Sequence, residues 1–133
     1  MTNEALILEA KKAREKSYSP YSHFQVGAAL LGKSGKVYHG CNIENAAYPA
    51  TNCAERTALY SAVAQGEQSF CAIAIVGGLK NSMPKEYCYP CGICRQVLSE
   101  FCDADTFRVI VAKSEEDYEE FYLKDLLPHG SVL

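Results

Sequence analysis

Pro90-Cys91-Gly92-Ile93-Cys94, read together with the upstream Cys53-Ala54-Glu55, constrains this fold more than any other part of the sequence. Two thiols three apart at the start of a helix lie on one face, about 5–6 Å from each other. Both sulfurs can then reach one metal ion at roughly 2.3 Å. A third sulfur, from Cys53, joins them only where the chain brings two helix starts together. Ala54, Ala58, Leu59, Ala62 and Val63 are spaced for burial in a helix over 53–65, with Gly66 placed to stop it. Pro90 suits the opening of the second helix, and Val97, Leu98 and Phe101 give that helix an apolar face ending near 102. Helix N-termini carry roughly half a positive charge and unpaired amide donors, which favour thiolate over thiol.

The rest of the chain must supply a scaffold that makes those two N-termini converge. Asn3 can cap a helix over 4–17 with Leu6, Ile7, Ala10 and Ala13 on one face. Residues 26–31 and 36–42 read as a hairpin about the Gly32-Lys33-Ser34-Gly35 turn, 71–76 as a buried strand and 107–112 as a β-branched strand. The tail over 117–127, with Tyr118, Phe121, Tyr122 and Leu123, fits helix or strand, and Pro128 ends it. This order predicts an α/β fold, a mixed sheet of about five strands with helices on both faces. A right-handed crossover from 71–76 to 107–112 sets both sulfur-bearing helices at the same end of that sheet. With 133 residues and no linker, repeat or low-complexity segment, one domain over 1–133 is expected.

Composition excludes several function classes. A hydrophobic share of 48% against 22% charged residues describes a globular chain and not a disordered tail. A net charge of -3 gives no electrostatic footprint for a phosphate backbone, so polymeric nucleic acid is not an expected partner. Met1 to Lys16 mixes apolar and charged residues at helical spacing and holds no membrane-length apolar run. A cytoplasmic protein with no membrane partner is expected. Seven cysteines, an odd number without a dense framework, fit reduced thiols better than disulfides. Cys41, Cys71 and Cys102 read as small buried hydrophobes.

Whether the metal would be structural or catalytic depends on the ligand count. Four protein ligands close a zinc site, whereas three leave a position for water or substrate. Cys53, Cys91 and Cys94 give an open site, with Glu55 beside it as an acid that does not ligate. Cys88, three residues before Cys91, gives a closed alternative that leaves Glu55 without a task. Three thiolates around one zinc ion sum to a negative centre. Arg56 can offset this from beside the sulfurs, the alternative being an ordinary solvated arginine, and Arg95 is a second candidate. Cys-x-Glu followed by Pro-Cys-x-x-Cys is the ligand and proton-shuttle signature of the zinc deaminases, with Cys as the first ligand.

Phe24-Gln25-Val26-Gly27-Ala28-Ala29-Leu30, Asn42-Ile43-Glu44-Asn45-Ala46-Ala47-Tyr48, Cys53-Ala54-Glu55-Arg56-Thr57-Ala58, Pro90-Cys91-Gly92-Ile93-Cys94-Arg95-Gln96-Val97 and Leu126-Leu127-Pro128 together extend over nearly the whole chain. In order and separation they resemble the small homotetrameric zinc-dependent cytidine deaminases that act on free nucleosides. The resemblance implies a three-layer α/β/α fold and hydrolysis of cytidine and deoxycytidine to uridine, deoxyuridine and ammonia by a zinc-activated water, in pyrimidine salvage. It implies one zinc ion per subunit on Cys53, Cys91 and Cys94, with Glu55 moving protons. It makes Asn42 and Glu44 a sugar-binding pair, Phe24 the aromatic packed on the pyrimidine, the Ala54 backbone a reader of the base carbonyl, and Tyr48 a neighbour of the subunit boundary. Core packing is the alternative for Phe24 and Tyr48, a turn role for Asn42 and a solvated charge for Glu44. A deaminase for another base or a nucleoside antibiotic is a further alternative, against which the Asn42/Glu44 pair argues for a free ribose. Two positions depart from the family pattern: Ser131 stands where an aromatic residue is common, in a tail that runs only to Leu133, and Ile93 adds bulk beside the metal ligands.

Overall fold

Among residues 1–132, which the computed structural model describes, five strands form one sheet; Leu133, the end of the tail, lies outside the described residues. The strands are β1 (Phe24–Gly32), β2 (Val37–Cys41), β3 (Phe70–Leu79), β4 (Arg108–Ser114) and β5 (Asp117–Tyr122), in the order β2-β1-β3-β4-β5. β3 and β4 run parallel and the other neighbours antiparallel. The helices are α1 (Asn3–Arg14), α2 (Ala54–Ala64), α3 (Gly92–Phe101) and the short α4 (Leu123–Leu126).

Strand residues alternate between faces, and in the central strands both faces are apolar, as a sheet covered on two sides requires. Ala29, Ala72, Ala74, Val76, Ile110 and Ala112 pack with Leu6, Ile7 and Ala10 of α1. Ala28, Leu30, Ile73, Ile75, Val109 and Val111 pack with Ala58, Leu59 and Ala62 of α2 and Leu98 of α3. The helices therefore lie on both faces, and the two that begin at the cysteines share one of them.

Two glycines let the helices approach. A Cβ on Gly27 would lie 2.1 Å from the Ala10 carbonyl oxygen of α1, and one on Gly40 would lie 2.3 Å from the Ala54 carbonyl oxygen of α2. Both contacts are with helix backbone, which cannot move aside as a side chain can. Gly40→Ala is expected to cost about 1–3 kcal/mol through overpacking, read as a lower urea midpoint at unchanged slope.

The structure corrects three details of the sequence reading and resolves a fourth that the sequence leaves open. Thr2, not Asn3, caps α1, its Oγ1 accepting from the Ala5 amide at 3.1 Å. Asn3 instead ties α1 to the sheet, donating to Glu120 at 2.9 Å and accepting from Arg108 at 2.6 Å. α1 stops at Arg14, short of 17, because the chain turns to pair Tyr18 with Ile43. β3 runs on to Leu79 because Gly77 and Gly78, a loop signal in isolation, are paired by Val26 and Gln25 of the long β1. The tail is strand and then helix: Asp117–Tyr122 pairs with β4, and the chain then turns into α4. Among the described residues no helix is long and apolar enough to cross a membrane.

Candidate functional site

Cys53 and Cys91 are the N-cap residues of α2 and α3, both in extended backbone conformation and neither making a side-chain cap hydrogen bond. Cys94 sits in the first turn of α3, fully buried. The sulfurs of Cys53, Cys91 and Cys94 all lie within 4.8 Å of one another, with Cys53 and Cys91 3.9 Å apart. Cys88 is not part of this cluster among the described residues. It packs elsewhere: a Cβ on Gly77 would lie 3.0 Å from the Cys88 sulfur and 3.0 Å from the Phe24 ring. Three soft sulfur donors at two helix N-termini are a set that suits zinc and leaves a coordination position open.

Charge is arranged to favour an anionic sulfur at Cys53. The Cys53 thiol is drawn down to about 5, first by a hydrogen bond from Cys94 and then, against burial, by Arg56. Arg56 donates from Nη2 to the Cys53 sulfur at 3.2 Å, and its buried Nε has no hydrogen-bond partner among the described residues. The hydrogen bond that Cys94 gives to Cys53, together with burial, pushes the Cys94 thiol up. Arg95 does not share this part: it donates from Nε to the Pro90 carbonyl and from Nη1 to the Leu126 carbonyl, each at 2.8 Å. Its position one residue past Cys94 turns it toward the tail instead of the sulfurs.

Glu55 is 5% exposed, the one buried charged side chain among the described residues. Burial pushes its carboxyl up to about 7; its own main-chain amide at the helix start pulls it down, and the Cys53 thiolate adds to the rise. Ala54 is fully buried beside it, the first residue of α2, so its amide has no intrahelical acceptor.

The Asn42–Glu44 segment is brought against this centre by main-chain pairing. Ile43 exchanges both of its main-chain hydrogen bonds with Asn52 at 2.9 Å, while Tyr18 accepts from Glu44 and donates to Asn42 on the other side. Asn52 immediately precedes Cys53. Asn42 Oδ1 accepts from the Val26 amide at 2.9 Å and from the Ser17 hydroxyl, and its Nδ2 donates to the Phe24 carbonyl at 2.8 Å. Glu44 accepts from the amides of Tyr21 at 3.0 Å and Ser22 at 3.2 Å and from the Ser22 hydroxyl, which holds its carboxyl below the usual range. Both side chains point toward residues 17–26. Ser17, Tyr21 and Ser22 were not singled out from sequence; the signal was the run of hydroxyls around Pro20, which reads as a turn and nothing more.

Phe24 and Tyr48 are not core residues. Phe24 is 38% exposed and lines a hollow of about 210 Å³ with Gly77, Leu79 and Met83. Tyr48, in a short 3-10 turn, is 84% exposed and borders a second hollow with Glu44 and Tyr21. Ile93 is 61% exposed on the first turn of α3. Ser131 exchanges two hydrogen bonds with the Gln96 side chain, at 3.0 and 2.9 Å, which pins the tail to α3.

Comparison with known proteins places this arrangement. The family described as "Cytidine and deoxycytidylate deaminase zinc-binding region" matches residues 1–112. The cytidine deaminase of Sporosarcina psychrophila is 51% identical over 128 residues, covering 96% of this chain and 90% of that protein. A probable cytidine deaminase of Dictyostelium discoideum is 40% identical over 125 residues, covering 94% of this chain and 80% of that protein. Among solved structures, the cytidine deaminase of Burkholderia pseudomallei superposes with a TM-score of 0.89 at 49% identity, covering 98% of this chain and all of that one. That of Mycobacterium tuberculosis gives 0.80 at 34% identity, covering 97% and 96%. The match runs from α1 into β4 and so takes in both helix starts at which the sulfurs meet: the chain belongs to the zinc-binding cytidine and deoxycytidylate deaminases, a family of hydrolytic enzymes.

Proposed function

We propose that this chain hydrolyses cytidine and deoxycytidine to uridine and deoxyuridine, releasing ammonia, and that it serves pyrimidine salvage in the cytoplasm. One zinc ion per subunit is held by Cys53, Cys91 and Cys94 in a single domain over 1–133. The observation that carries the reading is a buried carboxyl, Glu55, set beside three converging sulfurs without being one of the ligands. When bound, zinc supplies Lewis acidity that makes water a nucleophile near neutral pH. Glu55 takes a proton from that water as it adds to the ring carbon bearing the amine, and gives it to the ring nitrogen. The second water proton passes through Glu55 to the amine, which leaves as ammonia while the carbonyl forms. The Ala54 amide is free to read the base carbonyl, Phe24 packs on the ring, and Arg56 offsets the charge of the sulfurs.

The unused hydrogen-bonding capacity of Asn42 and Glu44 fits a sugar hydroxyl. Asn42 has both oxygen lone pairs engaged and keeps one N–H donor, while Glu44 keeps acceptor capacity on Oε2. A donor beside an acceptor suits a group that both accepts and donates. Since deoxycytidine is a proposed substrate, that hydroxyl must be one it retains. The 2′,3′-dideoxy analogue is therefore expected to lose at least about a hundredfold in kcat/KM, because the Asn42 donor and the Glu44 acceptor, covered by the bound nucleoside, would be left without partners.

A homotetramer is the proposed assembly, supported by exposed apolar residues at Tyr48, Tyr60, Met83 and Ile93. With Ser131 in the tail, a partner subunit supplies no aromatic ring from that position. The direct test is loss of cytidine absorbance on incubation with the purified protein, before and after chelation and again with zinc restored. No turnover by the zinc-loaded protein would overturn the reading.

A further inference from the structure

We infer that Tyr87 and Tyr89 are positioning residues that fasten the segment carrying Cys91 to the edge strand β5, and so set how long the site keeps its metal. The inference rests on Cys53, Cys91 and Cys94 being the zinc ligands. Between Ser82 and Cys91 the chain has no regular structure, and among the described residues the main chain of 83–90 makes no hydrogen bond to other main chain. Yet this stretch must present Cys91 to Cys53 within a few tenths of an ångström for both to share an ion.

Side chains supply what the backbone does not. The Tyr87 hydroxyl donates to Asp117, and the Tyr89 hydroxyl donates to Glu119 at 2.6 Å. Residues two apart on an extended chain point the same way, so both partners of this ladder step in register, 87 with 117 and 89 with 119. Carboxylate acceptors make these the stronger class of hydrogen bond. The Tyr89 ring also packs on Phe121, centroids 6.0 Å apart, and the Lys113 ammonium lies 4.6 Å from the centre of the Tyr87 ring.

The two faces of β5 divide the work. Tyr118 and Glu120 reach the α1 side, where Tyr118 donates to Glu4 and Glu120 accepts from Asn3. Asp117, Glu119 and Phe121 alternate with them and hold the cysteine-bearing segment. Cys88, between the two tyrosines, points the other way against Gly77. Arg95 completes the anchoring with its bond to the Pro90 carbonyl.

The test loads zinc into the full chain and into three double variants, then follows transfer of the metal to excess chromophoric chelator. Tyr87→Phe with Tyr89→Phe removes only two hydroxyls; Asp117→Ala with Glu119→Ala removes the ladder from the other side. Both are expected to release zinc about tenfold faster, while the zinc-free proteins keep their unfolding midpoints. Asp117→Asn with Glu119→Gln retains an acceptor oxygen on each rung and is expected to stay within about threefold of the parent. Release at the parent rate in both ladder-breaking variants overturns the inference. So does faster release that merely follows a loss of zinc-free stability. Should one double variant fail to fold, the other breaks the same ladder from the opposite side and decides the matter. A parent protein that takes up no zinc refutes the ligand reading instead, which keeps the two failures apart.

Discussion

Glu55→Gln is expected to hold one zinc ion per chain and to lose a factor of about 10²–10⁴ in kcat, the usual contribution of a positioned proton shuttle. Gln has nearly the shape of Glu and fills the same buried space, and its amide cannot take up and return a proton. Burial disfavours a charged carboxylate, so the neutral amide is not expected to cost folding stability. The split between parameters is informative. A shuttle acts on the reacting bonds and not on substrate association, so kcat should fall far more than KM rises. Metal content by atomic absorption, thermal unfolding and steady-state deamination on one preparation check all three. A Gln variant with kcat within tenfold of the parent would leave Glu55 as a buried packing residue.

Much of this was readable from particular residues. The two sulfur-bearing helices were legible because each begins with its own punctuation, Cys53 before an alanine-rich apolar face and Pro90 before Cys91, and because Gly66 marks a stop. Helices on both faces of a mixed sheet followed from element order, and the shared end of the two helix starts from the one favoured hand of a crossover between parallel strands. What escaped the sequence was long-range pairing. Gly77 and Gly78 look like a loop until a long β1 is known to lie beside them. Asp117–Tyr122 mixes acidic and aromatic residues without a clear apolar face, because β5 is an edge strand whose outer positions are held by hydrogen bonds and not by burial. The site showed the same division. Chemistry-bearing residues at fixed local spacing could be named, whereas the groups that fix their directions could not, because they lie far off in sequence. Ser17 meets Asn42, and Tyr89 meets Glu119, only through the fold.

Cys91→Ala and Cys88→Ser are expected to part company completely, and the contrast tests the open site more sharply than either variant alone. Cys91 is exposed at the start of α3, so truncating it removes a ligand without opening a cavity in the core. Two remaining sulfurs cannot complete a zinc sphere that began with three. The loss in metal affinity should exceed the roughly 10–100-fold typical of losing an outer partner, and cytidine turnover should fall with it. Cys88 lies in the sequence position for a fourth sulfur, yet it stands outside the cluster that Cys53, Cys91 and Cys94 form among the described residues. Its sulfur lies against Gly77, so Cys88 is a wall and not a ligand. Cys88→Ser should therefore keep one zinc ion per chain, and X-ray absorption at the zinc edge should show three sulfurs and one lighter atom in both the parent and this variant. A fourth sulfur in the parent, lost on Cys88→Ser, would mean a closed coordination sphere. Glu55 would then have no water to act on, and the deaminase reading would fail at its first chemical step.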